Sequence, residues 1–335
     1  MTRALQLLLG FSVSALCVWL SMRDMRFGEV LAALRGANPY GFLAVMFMTL
    51  LGFWVRAVRW RYFIQAGRPL PVASLFSATM IGFMANNVLP FRLGEFVRPW
   101  ALARREGLSK TTLLATVVVE RAVDMLTLLG IFGASMVVHP IAENTDAGRL
   151  VQWGARLLLA LCVGLTLFVV AVERNRRLAQ AVVRFVTAPL PGSVRERGTR
   201  MLEHFLEGLG LFRDLRRLLV VFALSFTMFL CFAFALSVSL WSLDIMLPWY
   251  AGLVMLVITA IGIMVPAAPG YIGTLNIACT AGLALFGVGK SQSVPFSWFY
   301  FFSQWLPITA VGLIYLNREG LTLKTLGQAE GGEAA

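Results

Sequence analysis

Residues 82–98 carry the strongest structural signal in the chain, and they read Gly82-Phe83-Met84-Ala85-Asn86-Asn87-Val88-Leu89-Pro90-Phe91-Arg92-Leu93-Gly94-Glu95-Phe96-Val97-Arg98. The stretch begins as the end of an apolar run and then gathers two amides, a proline, a glycine, two arginines and a carboxylate. In a bilayer, each backbone group freed by a helix break and each charge needs a protein or water partner. The pattern predicts a helix that breaks at Pro90 and Gly94 and forms a site. The alternative is a turn at the membrane edge with its arginines among the headgroups.

The composition of the chain is typical of an integral membrane protein built from helices. Of its 335 residues, 59% are hydrophobic, and the mean hydropathy is +0.77. The net charge of +12 is the excess that cytoplasmic loops carry where they face anionic lipid. The arginines are interleaved with apolar runs and form no separate basic domain, so nucleic acid is excluded as a partner. The predicted fold class is therefore all-α, a polytopic transmembrane helix bundle.

The apolar runs divide the chain into two membrane halves with a basic linker between them. The first half covers residues 1–172 and the second covers residues 218–318. In the linker, residues 173–217, many arginines alternate with apolar positions at helical spacing, which predicts amphipathic helices on the cytoplasmic surface. Residues 319–335 are rich in glycine and glutamate and are expected to form a flexible tail.

The distribution of arginine predicts the orientation of the chain in the membrane. Residues 56–71, 91–110 and 173–217 are rich in arginine and should lie on the cytoplasmic side, together with both termini. Because the first two of these loops lie on the same side, the apolar segment between them, residues 72–89, must enter the membrane and return. The sequence therefore predicts a re-entrant helix, or a broken pair, in the first half.

A second interrupted segment, residues 262–276, repeats this pattern in the second half. Gly262 opens a Gly-Ile-Met run that matches the Gly-Phe-Met run opened by Gly82, and each run leads into a Pro/Gly break. One span precedes and one follows each broken pair, and the charge rule gives the two sets opposite orientations, as expected for an inverted repeat. The alternative is that Pro-Gly turns are simply common in polytopic proteins. The predicted helix-break residues are Pro90, Gly94, Pro266, Pro269, Gly270 and Gly273.

Three ionisable residues lie well inside a predicted span, at residues 111–138. Glu120 and Asp124 are one helical turn apart and share a face, and Arg121 lies about 100° round the helix from Glu120. Each would cost a few kcal/mol if unpaired in lipid. The expected partners are each other or the charged residues of the first break, Arg92, Glu95 and Arg98. Two interpretations stay open: a buried ion cluster that holds helices together, or a cavity in which arginines bind an anionic headgroup and carboxylates balance or relay charge.

The candidate substrate-binding residues are the polar and charged positions of the breaks and spans: Asn86, Asn87, Arg92, Glu95, Arg98, Glu120, Arg121, Asp124, Asn276 and Gln304. The planar fork of arginine matches phosphate oxygens, so Arg92, Arg98 and Arg121 are expected to hold phosphate. No cluster of histidine, cysteine and carboxylate predicts a metal, and no cofactor motif is present. The sequence also lacks a Gly-x-Ser-x-Gly elbow and a phosphate-cradling loop, which argues against an enzyme.

Three ordered motifs resemble those of the lysylphosphatidylglycerol synthase transmembrane-region family. They are Asn87-x-x-Pro90-x-Arg92-x-Gly94-Glu95-x-x-Arg98, Glu120-Arg121-x-x-Asp124 and Pro269-Gly270-Tyr271-Ile272-Gly273-Thr274. The resemblance covers roughly residues 5–318 and is to a stand-alone member, without the aminoacyl-transferase domain of the fused relatives. It implies a flippase-like, multi-pass protein of the cell inner membrane with re-entrant helices, linked to anionic, polyprenyl-phosphate-linked or hopanoid lipids.

The chain departs from this family's pattern at the second break. Many members carry Pro-Gly-Gly-x-Gly followed by a glutamate, whereas this chain has Tyr271 in place of the middle glycine and Asn276 where the glutamate would fall. The resemblance therefore does not extend to the headgroup that the fused relatives move.

The expected function is that of a lipid translocase, which moves an anionic or phosphate-bearing lipid across the inner membrane. The alternative is a non-transporting scaffold that docks a glycosyltransferase or another enzyme of lipid or glycan synthesis through residues 173–217. A lipid-modifying enzyme with Glu95 or Asp124 as the base would need a nucleophile or donor site, and the sequence offers none. A homodimer is compatible with all three hypotheses.

Overall fold

The protein is all-α in the part that its computed structural model describes, namely residues 19, 27–64, 68–89, 92–138, 160, 163–164, 215–264, 269–322 and 325–326. These residues contain nine α-helices and no strand. In chain order the helices are α1 (Phe27–Gly36), α2 (Pro39–Phe63), α3 (Val72–Val88), α4 (Gly94–Glu106), α5 (Lys110–Val138), α6 (Leu215–Trp241), α7 (Ala251–Met264), α8 (Thr274–Ala284) and α9 (Lys290–Arg318). The predicted fold class is confirmed.

Three of the described helices are long and apolar enough to cross a membrane. These are α2, α6 and α9, with 25, 27 and 29 residues. At about 1.5 Å per residue, each exceeds the roughly 30 Å of a bilayer's hydrocarbon core. Helices α3 and α7 are apolar but have 17 and 14 residues. Residues 215–217, the last three of the predicted linker, belong to helix α6. The remainder of that linker, residues 173–214, lies outside the described residues.

Each of the two short apolar helices ends at a break in the helical chain, and a second short helix follows the break. Residues 89–93 separate α3 from α4, and residues 265–273 separate α7 from α8. Gly94, a predicted break residue, is the first residue of α4. Pro90 and Pro266 lie outside the described residues. Interrupted helices are therefore present in both halves, and their re-entry into the membrane stays a prediction.

Several helix bounds recur along the chain with one offset, which is the separation between Gly82 and Gly262. Helix α4 begins at Gly94 and α8 at Thr274, and both ends of α9 follow the corresponding ends of α5 at this same offset. Between the helices, Gly107 and Gly287 adopt left-handed φ values of 68° and 75° and are separated by it as well. Helices α2–α5 and α6–α9 thus share order and spacing. This agreement supports the predicted repeat, whereas the inverted orientation of the second half stays a prediction.

The same tight contact joins the two helices of each interrupted pair. An added Cβ on Gly82 would lie 2.6 Å from the Cβ of Arg98 and 3.0 Å from the carbonyl oxygen of the first residue of α4. An added Cβ on Gly262 would collide with the Cβ of Ala278 and lie 3.2 Å from the first carbonyl oxygen of α8. The contacting positions of the two pairs are again related by the constant offset. In both pairs, glycine lets the two helix backbones approach closely.

The chain forms two compact units. The first consists of residues Met1–Val58, Leu70–Leu108 and Thr227–Ala335, and contains both interrupted pairs and α9. The second consists of residues Arg59–Pro69 and Ser109–Phe226, and contains α5 with the ends of α2 and α6.

The segment that follows α9 packs into the core of the first unit. Leu321 and Leu326 are 6% and 1% exposed and join a cluster with Ile81, Met84 and Val97 of the first interrupted pair. The sequence predicts a flexible tail from residue 319, so the described part of that tail differs from the expectation. The reason is that its two leucines bury apolar area, which outweighs the mobility expected from the surrounding glycine and glutamate.

Candidate functional site

The two helix breaks meet within the first unit, and Arg92 is the residue that joins them. Its guanidinium donates a hydrogen bond to the carbonyl oxygen of Ile263, in the last turn of α7. Its Cζ lies 5.2 Å from the centroid of the Tyr271 ring, in the turn before α8. The last carbonyl groups of a helix have no partner within the helix and carry partial negative charge, so a cation is stabilised there. The first break therefore supplies a cap for the helix that ends at the second.

The backbone at this contact adopts a conformation that side chains usually avoid. Arg92 and Tyr271 have φ values of 53° and 61°, and among the described non-glycine residues only Asp244 also has a positive φ. The left-handed conformation costs a non-glycine residue roughly 1–2 kcal/mol. A strained backbone conformation of this kind persists only where the surrounding structure stabilises it, and such conformations are concentrated at functional sites. Both partners of the contact between the breaks are thus held in a strained conformation.

Two buried amides fasten the first break to its neighbours. The Asn86 side-chain oxygen accepts a hydrogen bond of 2.8 Å from the Gly94 backbone N–H, at the start of α4. The Asn87 side-chain nitrogen donates to the Thr309 hydroxyl of α9 at 3.0 Å. Asn86 therefore satisfies one of the free N–H groups at the start of α4, and Asn87 ties the end of α3 to α9.

The two amides of the second half also serve contacts within and between helices. The oxygen of Asn276, which is fully buried, accepts a 3.2 Å hydrogen bond from the Gly273 N–H, and its nitrogen donates to the Ser297 hydroxyl at 2.8 Å. The nitrogen of Gln304 donates to the Thr49 hydroxyl of α2 at 2.6 Å. Their role towards a substrate stays a prediction, because in this structure both amides hold helices in place.

The glycines predicted at the second break occupy positions that require them. Gly270 has a φ of 75° in the turn formed by Pro269–Tyr271, and Gly273 has a φ of 89° at the N-cap of α8. The turn packs against the end of α3, where an added Cβ on Gly270 would lie 3.5 Å from the backbone oxygen of Asn87.

The other charged residues of the first break lie on α4. Glu95 is in the first turn of α4 and is partly exposed, and Arg98 is 2% exposed where α4 packs on Gly82. A carboxylate in the first turn interacts favourably with the positive end of the helix dipole.

In the second unit, buried Arg59 and three charged residues around it, Glu120, Arg121 and Asp124, form a cluster of four charged groups. Its guanidinium lies 3.0 Å from a carboxylate oxygen of Glu120 and 2.6 Å from one of Asp124, and it donates to the Ser225 hydroxyl at 2.7 Å. The Arg121 guanidinium, whose side chain is 38% exposed, lies 3.8 Å from each of the two carboxylates. Within this described cluster, two arginines face two carboxylates, so these four charges balance one another.

Comparison with known proteins assigns the chain to a family. A model described as the lysylphosphatidylglycerol synthase TM region matches residues 7–312 of the 335. The chain belongs to this family. It is 23% identical over 338 aligned positions to a UPF0104 membrane protein of Methanothermobacter thermautotrophicus, with 92% of each chain covered. It is also 26% identical over 137 residues to glycosyltransferase AglD of Haloferax volcanii, where the match covers 41% of this chain and 22% of that protein.

In this member of the lysylphosphatidylglycerol synthase TM-region family, two arginines lie inside a helix where the sequence predicts the cytoplasmic loop 56–71. Helix α2 runs to Phe63, Arg59 is fully buried, and Arg56 is 6% exposed with its Cζ 5.3 Å from the centroid of the Phe83 ring. The prediction was wrong for both, because a run of arginines also fits a helix whose charges find partners inside the protein.

A signal for Arg59 was present in the sequence. The predicted span of α5 carries two carboxylates, Glu120 and Asp124, but one arginine, Arg121, so a further cation is needed for balance. The sequence analysis expected Glu120, Arg121 and Asp124 to pair with one another or with the charged residues of the first break. Arg59 was not among these expected partners. The contacts of Arg59 are those expected from the ion-cluster interpretation, and a role of Glu120, Arg121 and Asp124 towards a substrate stays a prediction.

Proposed function

We propose that this membrane protein is a lipid translocase, which moves an anionic or phosphate-bearing lipid across the inner membrane. The observation that carries the proposal is the contact between the two helix breaks through Arg92. Interrupted helices at corresponding positions of two repeats mark the substrate site in many transporters. Irregular backbone at membrane depth is tolerated where it is buried in protein or lines a water-filled cavity. The meeting point of the breaks is therefore where a polar headgroup would pass.

The charge distribution supports an anionic headgroup. Within the described residues, Arg92 forms no ion pair with a carboxylate, whereas Arg59 and Arg121 face Glu120 and Asp124. A planar guanidinium binds phosphate oxygens through paired N–H donors. We therefore assign headgroup binding first to Arg92, with Arg98 of the same break as the second arginine.

The balanced cluster in the second unit has a different role in this proposal. Arg59 reaches from α2 to Glu120 and Asp124 on α5, so the four charges join two helices and leave no excess positive charge for phosphate. In the proposed mechanism, the second half is inverted relative to the first and both termini are cytoplasmic. Small rearrangements of the two breaks then pass the headgroup from one side to the other while the lipid tails stay in the bilayer.

The test is reconstitution of the purified protein into liposomes that carry fluorescent phosphatidylglycerol or phosphatidylcholine. Loss of the labelled lipid's asymmetry is followed by chemical quenching of the outer leaflet, with protein-free liposomes as the control. We expect phosphatidylglycerol to move faster with wild-type protein, and Arg92→Gln, which removes the cation assigned to the headgroup, to slow this movement. A correctly folded protein that moves neither lipid would contradict the proposal.

A second candidate function is a membrane scaffold for an enzyme of lipid or glycan synthesis. It is favoured by the relative from Haloferax volcanii, because the region shared with this chain is 22% of a protein named as a glycosyltransferase. In this alternative, the basic residues 173–217 dock the enzyme. Replacing Arg195, Arg197 and Arg200 with glutamine would then abolish the pathway's product in cells, while Arg92→Gln would leave it unchanged.

A further inference from the structure

We propose that Tyr271 determines headgroup selectivity by positioning Arg92, an inference that rests on the translocase function proposed above. The two side chains come from different breaks, and their stacking at 5.2 Å fixes where the guanidinium stands. Tyr271 is therefore a positioning residue, and Arg92 is the group that contacts the lipid phosphate.

The hydrogen bonds of Arg92 leave room for an anion. A guanidinium carries five N–H donors in one plane. One nitrogen of Arg92 donates to the Ile263 carbonyl oxygen, whereas its Nε is buried and has no hydrogen-bond partner among the described residues. A buried donor without a partner is rare and calls for a specific explanation. A phosphate oxygen would satisfy it and would meet a cation that no described carboxylate neutralises.

The backbone indicates that Tyr271 is there for its side chain. Its φ of 61° lies in the left-handed region, where glycine is free of strain and a large residue is not. Arg92, with a φ of 53°, is held in the same region. Two strained residues from two breaks in direct contact fit a site that the surrounding fold maintains. The Tyr271 side chain therefore provides a contact that glycine could not make, and the contact seen in the structure is the one between its ring and the Arg92 guanidinium.

The stacked arrangement discriminates between headgroups. An aromatic face attracts cations, including quaternary ammonium groups such as choline. While the Arg92 guanidinium covers the Tyr271 ring, a choline group is both displaced from that face and repelled by the arginine. An anionic headgroup meets neither obstacle. Removal of the ring leaves Arg92 without a fixed position, so the preference for anionic lipid should fall.

The test compares Tyr271→Phe, Tyr271→Leu and Tyr271→Gly with wild type in the liposome assay with phosphatidylglycerol and phosphatidylcholine. Phenylalanine keeps the ring face, and leucine removes it. Glycine removes it as well and also relieves the backbone strain, so this variant carries the test if the leucine variant fails to fold. We expect Tyr271→Phe to retain the wild-type ratio of the two rates. Both ring-less variants should lower the ratio by roughly two- to five-fold, the factor that a cation–π interaction supplies.

The outcomes distinguish failure of the Tyr271 role from failure of the translocase function. If wild type shows faster phosphatidylglycerol movement and the ring-less variants keep its rate ratio, the role of Tyr271 is refuted and the translocase function stands. If Tyr271→Phe loses the ratio as well, the hydroxyl group and not the ring face is responsible, which also refutes the inference. If folded wild-type protein moves neither lipid, the translocase function fails, and the selectivity role fails with it.

Discussion

Replacing Arg59 with leucine should strongly destabilise the second unit, because it removes one cation from a balanced buried cluster. In the wild-type protein, Arg59 is fully buried and lies 3.0 Å from Glu120 and 2.6 Å from Asp124. After the substitution, the cation that remains in the described cluster is Arg121, at 3.8 Å from each carboxylate and with a side chain 38% exposed. The cluster would then hold one more negative charge than positive charges.

The expected cost follows from the burial of the pair. Removing one partner of a buried ion pair costs roughly 3–5 kcal/mol, because the remaining charge keeps its desolvation penalty. For a protein of this size, that loss lowers the thermal midpoint by roughly 5–15 °C. Adding Glu120→Gln to Arg59→Leu restores the charge balance, since Asp124 and Arg121 then remain as one pair. The double variant should recover most of the lost stability.

The assay is thermal unfolding in detergent, followed by tryptophan fluorescence at a single scan rate because membrane proteins often unfold irreversibly. Arg61→Leu is the matched control, because Arg61 lies on the same helix and is exposed, so its shift should be much smaller. A double variant whose loss equals the sum of the two single losses would refute the reasoning, since it would mean that the charges are not coupled.

Three further predictions concern packing and capping and use the same unfolding assay. Asn86→Ala removes the acceptor for the first N–H of α4 and should cost about 1 kcal/mol or somewhat more, because a buried donor is left without a partner; an unchanged midpoint would contradict the cap. Gly82→Ala should destabilise the first interrupted pair, since the added Cβ would lie 2.6 Å from the Cβ of the facing arginine. Gly130→Ala should be neutral or stabilising, because an added Cβ there would have no atom of a described neighbouring residue within 4 Å. Leu326→Ala should cost roughly 2–4 kcal/mol, because this side chain is 1% exposed in the core of the first unit; the loss would be absent if the tail were detached in solution.

The interrupted helices could be predicted from the sequence because their determinants are local. Gly270 and Gly273 adopt the left-handed φ values that change the backbone direction at the second break, Gly94 allows α4 to approach α3 closely, and apolar runs on either side set the helices. The repeat could be predicted for the same reason, since Gly82 and Gly262 open matching runs in the two halves. The first residues of α4 and α8, both ends of α5 and α9, and the contacts at these two glycines recur at the same offset.

The partners of the buried polar groups could not be predicted, because they come from residues distant in sequence. Arg59 pairs with Asp124 and Glu120 on a different helix, and a local charge pattern placed it in a loop. Asn276 was predicted as a substrate-binding residue, and its contacts with Gly273 and Ser297, which cap α8 and join it to α9, were not predicted. Leu326 is buried because α9 returns the chain to the first interrupted pair, which composition alone does not reveal.

The central claim is that the meeting point of the two breaks, where Arg92 forms no ion pair with a described carboxylate, carries an anionic lipid headgroup. It is tested most directly by the initial rate of phosphatidylglycerol movement in liposomes with wild type, Arg92→Gln and Arg104→Gln. Arg104 is the matched control, because it is an exposed arginine near the other end of α4 with its Cζ 5.8 Å from the centroid of the Trp100 ring. We expect Arg104→Gln to move the lipid at the wild-type rate and Arg92→Gln to lose at least about ten-fold. That factor corresponds to about 1.4 kcal/mol, close to the lower end of the range for a hydrogen bond to a charged group. Equal rates for wild type and a folded Arg92→Gln protein would contradict the claim.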